Sequence, residues 1–107
     1  MIPNEEIHAV VETYEKYGWQ LRRLVSRDIA GTETLSEFGV PVEVASIDAA
    51  WFSRPPQDGP IAWEVRYLGP TQYALVEHLD EDSPEFEQKL QETEERLQAA
   101  VASKREA

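Results

Sequence analysis

Residues 49–67 read "AAWFSRPPQDGPIAWEVRY" and predict two β-strands joined by a bend. The segment after the bend alternates apolar and polar residues, which is typical of a strand that buries one face. Pro55 and Pro56 cannot donate a backbone hydrogen bond to a neighbouring strand, and Asp58 and Gly59 favour turns. The stretch also holds two of the chain's three tryptophans. Two interpretations follow: the tryptophans pack the core of a hairpin, or they belong to a binding site.

The pairing of these two strands determines which side chains share a face. With Trp51 opposite Trp63, both indoles lie on one face, which we expect to be buried beneath helices. A slip of one residue would bury Phe52 in place of Trp51, because neighbouring residues of a strand point to opposite faces. In the first register the buried face consists of Ile47, Ala49, Trp51, Trp63, Val65 and Tyr67.

Helices are predicted near both ends of the chain. The first has apolar residues at helical spacing, namely Ile7, Val10, Val11 and Tyr14. Asn4 is its expected N-cap, and Gly18 is placed to end it in a left-handed conformation. The second has Asp82 or Ser83 as N-cap and Pro84 at its first position. Its buried stripe is expected to be Phe86, Leu90, Leu97 and Val101.

Further strands are predicted between these helices. Residues 19–25 predict a strand with Trp19, Leu21, Arg23 and Val25 on one side and Gln20, Arg22 and Leu24 on the other. Residues 26–39 read as a loop with a helical turn near residues 35–38, and residues 40–47 as an edge strand. Residues 72–79 should form a hairpin with residues 61–68.

This order of elements predicts one α+β domain over residues 1–107. We expect an antiparallel sheet of four to five strands, covered on one face by an N-terminal and a C-terminal helix. The opposite face would then meet either water or a partner.

The composition limits the classes of partner. The 107 residues carry a net charge of −11, with the acidic excess strongest in residues 80–107. Such a surface repels phosphate groups, so neither nucleic acid nor a membrane is an expected partner. The chain has no cysteine, no basic N-terminal start and no apolar run long enough to span a bilayer, so we expect a cytoplasmic protein.

The uncovered sheet face is the predicted interaction surface. Aromatic residues and arginine are enriched at protein interfaces, and this face should present Phe52, Arg54, Glu64, Arg66, Tyr73 and Leu75. We therefore expect a non-enzymatic interaction module that forms a homodimer or binds another protein. The alternative is an amphipathic outer face with solvated cross-strand pairs such as Asp48 with Arg66.

Motifs for catalysis or metal binding are missing from the sequence. The two histidines are far apart, and the acidic residues 80–85 lack the glycine and ligand spacing of a calcium loop. We therefore expect no cofactor, no metal and no catalytic residue. A competing hypothesis is a pocket for a small anion, built from Arg22 or Arg23 with His78 and the loop at residues 26–39. Otherwise these arginines form internal ion pairs with Asp48, Glu64 or Glu77.

Two segments, "YGWQLRR" at residues 17–23 and "AWFSRP" at residues 50–55, resemble a small family of uncharacterised bacterial proteins. The resemblance extends over most of the chain and implies a compact bacterial domain. It implies no catalytic residues, because no activity is known for that family.

Overall fold

In the computed structural model, two helices and a five-stranded sheet form the fold. The structure describes residues 4–28, 35–54, 61–69 and 73–106, with side chains to residue 103. The predicted α+β class, with a helix near each end of the chain, is confirmed. A 3-10 turn at Ser36–Phe38 confirms the predicted helical turn. The bend at residues 55–60 and residues 29–34 of the predicted loop lie outside the described residues. The elements are α1 (Asn4–Lys16), β1 (Gln20–Ser26), β2 (Val42–Val44), β3 (Ala49–Arg54), β4 (Ile61–Tyr67), β5 (Ala74–Leu79) and α2 (Phe86–Glu106).

The strands lie in the order β2-β1-β3-β4-β5, so the predicted edge strand β2 is confirmed. Three of the pairings are antiparallel, but β1 and β2 run parallel. Parallel neighbours need a long crossover connection, and residues 27–41 provide it. The sheet is therefore mixed, where the sequence had suggested a purely antiparallel one.

The register of β3 and β4 differs from the predicted one by two residues. Trp51 lies opposite Val65, and Trp63 lies opposite Ser53. A shift of two residues keeps every side chain on its predicted face, because side chains alternate with a period of two. The two indoles still meet edge to face, with ring centroids 6.4 Å apart. All six residues predicted for the buried face lie in one core cluster, which confirms that part of the prediction.

The helices cover opposite faces of the sheet, which corrects the expectation that both cover one face. On the α2 face, the helix packs its stripe of Phe86, Leu90, Leu97 and Val101 against the tryptophan cluster. On the α1 face, Ile7 and Val11 pack against Leu24, Ala50 and Phe52. The physical reason is the central strand β3, whose residues 49–53 are all buried. A strand with Trp51 on one face and Phe52 on the other needs cover on both.

An irregularity in β1 overturns the predicted alternation of that strand. Leu21 lies opposite Phe52 and Arg23 lies opposite Trp51, so Arg22 is an extra residue between two adjacent pairs. Leu21 therefore packs in the α1 cluster, whereas Val25 packs in the α2 cluster.

The helix ends follow the predicted signals closely. Gly18 has φ +89°, and the Trp19 N–H donates to the Tyr14 carbonyl, so α1 ends in the expected left-handed turn. Ahead of α2, the Ser83 hydroxyl accepts a hydrogen bond from the Glu85 N–H at 3.2 Å. Ser83 is therefore the capping residue, and Pro84 lies in the turn that precedes the helix.

Candidate functional site

The six residues of the predicted interface are divided between the two faces. Phe52 is fully buried beneath α1 and stacks on Tyr14, with ring centroids 4.0 Å apart. Leu75 lies directly opposite Val65 and packs, like Tyr73, against the α2 cluster. This corrects the expectation of one shared, uncovered surface. Phe52 lies beneath α1, and the observed pairing places Leu75 on the face opposite Glu64 and Arg66, because one residue of register decides the face of a whole strand.

The remaining three predicted residues stay on the α1 face. Arg54 is exposed at the end of β3, and Glu64 and Arg66 are half-buried on β4. The Tyr14 hydroxyl donates a hydrogen bond to the Glu64 carboxylate, so α1 reaches as far as β4. Burial, together with the Glu64 carboxylate, raises the pKa of Tyr14 well above its usual range.

Beyond the contact between Tyr14 and Glu64, α1 does not cover the α1 face of the sheet. We call this uncovered area the β4–β5 strip. Its centre is Val76, which lies opposite Glu64 and is 51% exposed. The strip has an apolar centre with one acid and one base beside it. It consists of Ala62, Glu64, Arg66, Ala74, Val76 and His78.

The two edges of the sheet differ in how well they are protected against pairing. The edge strand β2 has only three residues and directly follows Pro41. The edge strand β5 has six residues, contains neither proline nor lysine, and has one acid, Glu77, which pairs with Arg96 of α2. Short strands, prolines and lysines are the usual means of blocking unwanted pairing, so among the described strands β5 forms the less protected edge of this sheet.

A cleft of about 360 Å³ opens on the other face, between α2 and the segment around β2, and we call it the α2 cleft. Arg23 of β1 lies in its wall and holds two carboxylates. Its Nη1 and Nη2 donate to both oxygens of Glu87 at 2.9 Å, and its Nη1 also donates to Glu43 at 3.0 Å. The hydrogen bond with Glu87 raises the pKa of Arg23 and lowers the pKa of Glu87.

Glu94 of α2 also lines the α2 cleft, although it is only 8% exposed. Its Oε2 accepts a hydrogen bond from the Trp51 indole N–H at 2.9 Å. Burial raises the pKa of Glu94, the Trp51 bond partly offsets that effect, and Glu43 and Glu87 add to it while Arg23 opposes it. The sequence analysis did not single out Glu94. The signal was present, because residue 94 falls on the helical stripe between Leu90 and Leu97.

The residues of the predicted anion pocket do not form one site. Arg22 and Arg23 both lie on the α2 face, where Arg22 donates to Ser53 at 3.0 Å and to Glu81 at 2.7 Å. The Arg22 guanidinium also lies over the Trp63 ring, 4.9 Å from its centroid. His78 lies opposite Ala62 on the α1 face.

Both arginines form internal ion pairs, but with other acids than expected. The three carboxylates named in the sequence analysis have different partners: Asp48 pairs with Arg27, Glu64 with Tyr14 and Glu77 with Arg96.

Two kinds of feature are absent from the described residues. None of their helices is long and apolar enough to cross a bilayer. No group of three or more histidines and acidic residues there is arranged to hold a metal ion.

Comparison with known proteins adds no further assignment. No family model matches the chain, and no similar protein is found among curated proteins or solved structures. The resemblance to a small bacterial family therefore rests on residues 17–23 and 50–55 alone.

Proposed function

We propose that this protein is a non-enzymatic interaction module that self-associates by pairing the β5 strands of two copies. The observation that carries the proposal is the unprotected β5 edge with Val76 exposed beside it. Within the described part of the chain, β4 is the one strand that pairs with β5. A second copy would bond the free backbone groups of that edge and extend the sheet.

Two-fold symmetry suits this surface, because the same patch must complement itself. In an antiparallel pair centred on Val76, the two valines meet near the axis, and Ala74 lies opposite His78 of the second copy. Glu64 and Arg66 lie beside this apolar centre on the same face.

The net charge sets a condition on this dimer. Each copy carries −11, so the two copies repel each other at low ionic strength. Salt screens that repulsion and leaves the backbone and apolar contacts of β5 in place. We therefore expect the dimer to become tighter as salt is added.

The test is to measure molar mass by sedimentation equilibrium from micromolar to millimolar concentration, at low and moderate salt. We expect a reversible dimer for the natural sequence. Val76→Lys should shift the protein to monomer, because two like charges would meet at the two-fold axis. Val44→Lys is the matched control, since Val44 is also 51% exposed but lies on β2 at the opposite edge.

The variants separate this proposal from general effects of charge. Circular dichroism should show that both variants keep the fold. A natural protein that stays monomeric at millimolar concentration would overturn the proposal. Equal dissociation of the Val76→Lys and Val44→Lys variants would also overturn it, because the edge at β5 would then have no special role.

A further inference from the structure

We infer that a pocket beside Arg27 binds a small carboxylate that carries an apolar group. We call it the Arg27 pocket, and its volume is about 160 Å³. It lies on the α2 face, where the end of β1, the segment between β2 and β3, the end of β4 and the C-terminal half of α2 meet. Its wall includes Arg27, Ile47, Tyr67, Gln98 and Val101.

The outer end of the Arg27 guanidinium is available to a ligand. Asp48 takes the other edge, because its Oδ2 accepts from Nε at 3.4 Å and its Oδ1 accepts from the Arg27 backbone N–H at 2.8 Å. Within the described part of the chain, neither terminal nitrogen of Arg27 has a hydrogen-bond partner. Arg22, Arg23 and Arg96, by contrast, each direct a terminal nitrogen at an acid. The free end of a guanidinium is the group that best matches the two oxygens of a carboxylate.

Tyr67 provides a second donor on the wall of the pocket. Its side chain is only 8% exposed, and its hydroxyl lies against Gly69. A Cβ at residue 69 would overlap the phenol, so the position of this side chain depends on the glycine. Among the described residues, the hydrogen bonds of Tyr67 use its backbone and none uses its hydroxyl. The hydroxyl can therefore donate to a ligand in the pocket.

The lining favours a single negative charge joined to an apolar group. Arg27 is charged, and the other residues that line the pocket are neutral. Ile47 and Val101 give an apolar wall, and a cavity of about 150 Å³ is large enough for a benzene ring. One guanidinium neutralises a monocarboxylate. A dianion such as phosphate would bring a second negative charge towards Asp48, in a protein of net charge −11.

This site differs from the anion pocket predicted from the sequence, which combined Arg22 or Arg23 with His78. The two share only the loop at residues 26–39, in which Arg27 lies. The Arg27 pocket is also independent of the proposed self-association, because it lies on the α2 face and the β4–β5 strip lies on the α1 face.

The experiment titrates sodium benzoate into the full chain at moderate salt, and follows the side-chain NMR signals of Tyr67, Gln98 and Val101. We expect these signals to shift together and to saturate at millimolar benzoate. Benzamide, a neutral molecule of nearly the same shape, should not bind at the same concentrations, because it brings no charge to Arg27. Acetate, which lacks the apolar group, should bind more weakly than benzoate.

Three variants separate Arg27 from the overall charge of the protein. Arg27→Gln should weaken benzoate binding by about tenfold, the factor for losing a charged hydrogen bond. Arg54→Gln, which removes the same charge from another exposed position, should leave the affinity unchanged. Asp48→Asn should strengthen binding, because it removes a like charge beside the site and keeps an oxygen that accepts from the Arg27 backbone N–H.

Two further variants test the donor on the wall and the independence of the site. Tyr67→Phe, which keeps the buried ring, should weaken benzoate binding by a smaller factor than Arg27→Gln. The Val76→Lys variant should bind benzoate like the natural sequence, whatever its oligomeric state, so the two proposals fail separately. Absence of saturable binding, equal binding of benzoate and benzamide, or equal losses in Arg27→Gln and Arg54→Gln would overturn the inference.

Discussion

At the scale of single residues, Glu94 and Trp51 form the most unusual contact in the core. A carboxyl group is rarely buried this deeply, because its charged form loses hydration. The Trp51 indole N–H supplies one hydrogen bond from the neighbouring sheet, which is why the pair is tolerated. The pKa of Glu94 is raised, whereas the pKa of Glu87, about two helical turns away on α2, is lowered. The two carboxylates therefore change the stability of the fold with pH in opposite directions.

Glu94 should destabilise the folded state as the pH rises. Its folded pKa lies above the ordinary value of 4.5, so just above that value the folded state binds more protons than the unfolded state. The free energy of unfolding therefore falls with rising pH across this range. We expect Glu94→Gln to gain stability relative to the natural sequence as the pH rises, measured by urea unfolding, with Glu92→Gln as the charge-matched control.

Glu87 should act in the opposite direction in the same measurements. Its folded pKa is lowered by the Arg23 hydrogen bond, so its contribution is present above 4.5 and is lost as the pH falls below that value. Glu87→Gln should therefore lose less stability in acid than the natural sequence does. Parallel pH profiles for all the variants would contradict both assignments.

At the scale of elements, Arg23 ties three of them together. The extra residue in β1 places Arg23 on the α2 face, where it meets Glu43 of β2 and Glu87 at the start of α2. The planar guanidinium can bind both oxygens of Glu87 at once, and a lysine ammonium cannot do so. The side chain thus links the short strand β2, which pairs with β1, to the start of α2.

A double-mutant cycle should measure the interaction between Arg23 and Glu87. We expect Arg23→Ala and Glu87→Ala to show a coupling energy of about 0.5–1 kcal/mol in the free energy of unfolding, because solvent screens the exposed carboxylate of Glu87. The matched cycle uses Lys89 and Glu85, an exposed pair 3.9 Å apart on the same stretch of chain, and should give a coupling of about 0.3 kcal/mol or less. Equal couplings would mean that Arg23 is only another surface ion pair.

At the scale of the whole molecule, two cores share one sheet. Trp51 and its neighbours pack beneath α2, and Phe52 and its neighbours pack beneath α1. Both cores depend on β3, because successive residues of that strand enter opposite clusters. Neither core can persist without the strand that carries the other, so we expect the two to unfold together.

Truncating a buried side chain in either core should therefore shift one common unfolding transition of the whole molecule. Phe52→Ala should cost about 3–5 kcal/mol and Leu97→Ala about 2–5 kcal/mol, because each fully buried side chain leaves a cavity. Tryptophan fluorescence and far-ultraviolet circular dichroism should give coincident urea transitions for both variants. A separate early transition in Phe52→Ala alone would show that α1 and its core unfold independently.

Local patterns were sufficient for much of this fold. Helical spacing predicted α1 and the buried stripe of α2, and the turn-forming Gly18 predicted where α1 ends. Strand alternation predicted that Trp51 and Trp63 share a buried face. These features depend on residues that are near neighbours in the sequence, and a register shift of two residues preserved the last of them.

The tertiary structure decided the features that depend on contacts between distant segments. Nothing local to Phe52 shows that α1 crosses the face where it lies, and the extra residue at Arg22 exists only in the pairing with β3. The β5 face was also set by pairing, because one residue of register exchanges Leu75 for Val76. The helical stripe places Glu94 beside Leu90 and Leu97, but its hydrogen bond depends on Trp51 of a distant strand. The sequence by itself therefore determined the elements and the main buried face, whereas packing between remote segments determined the open edge and the cleft.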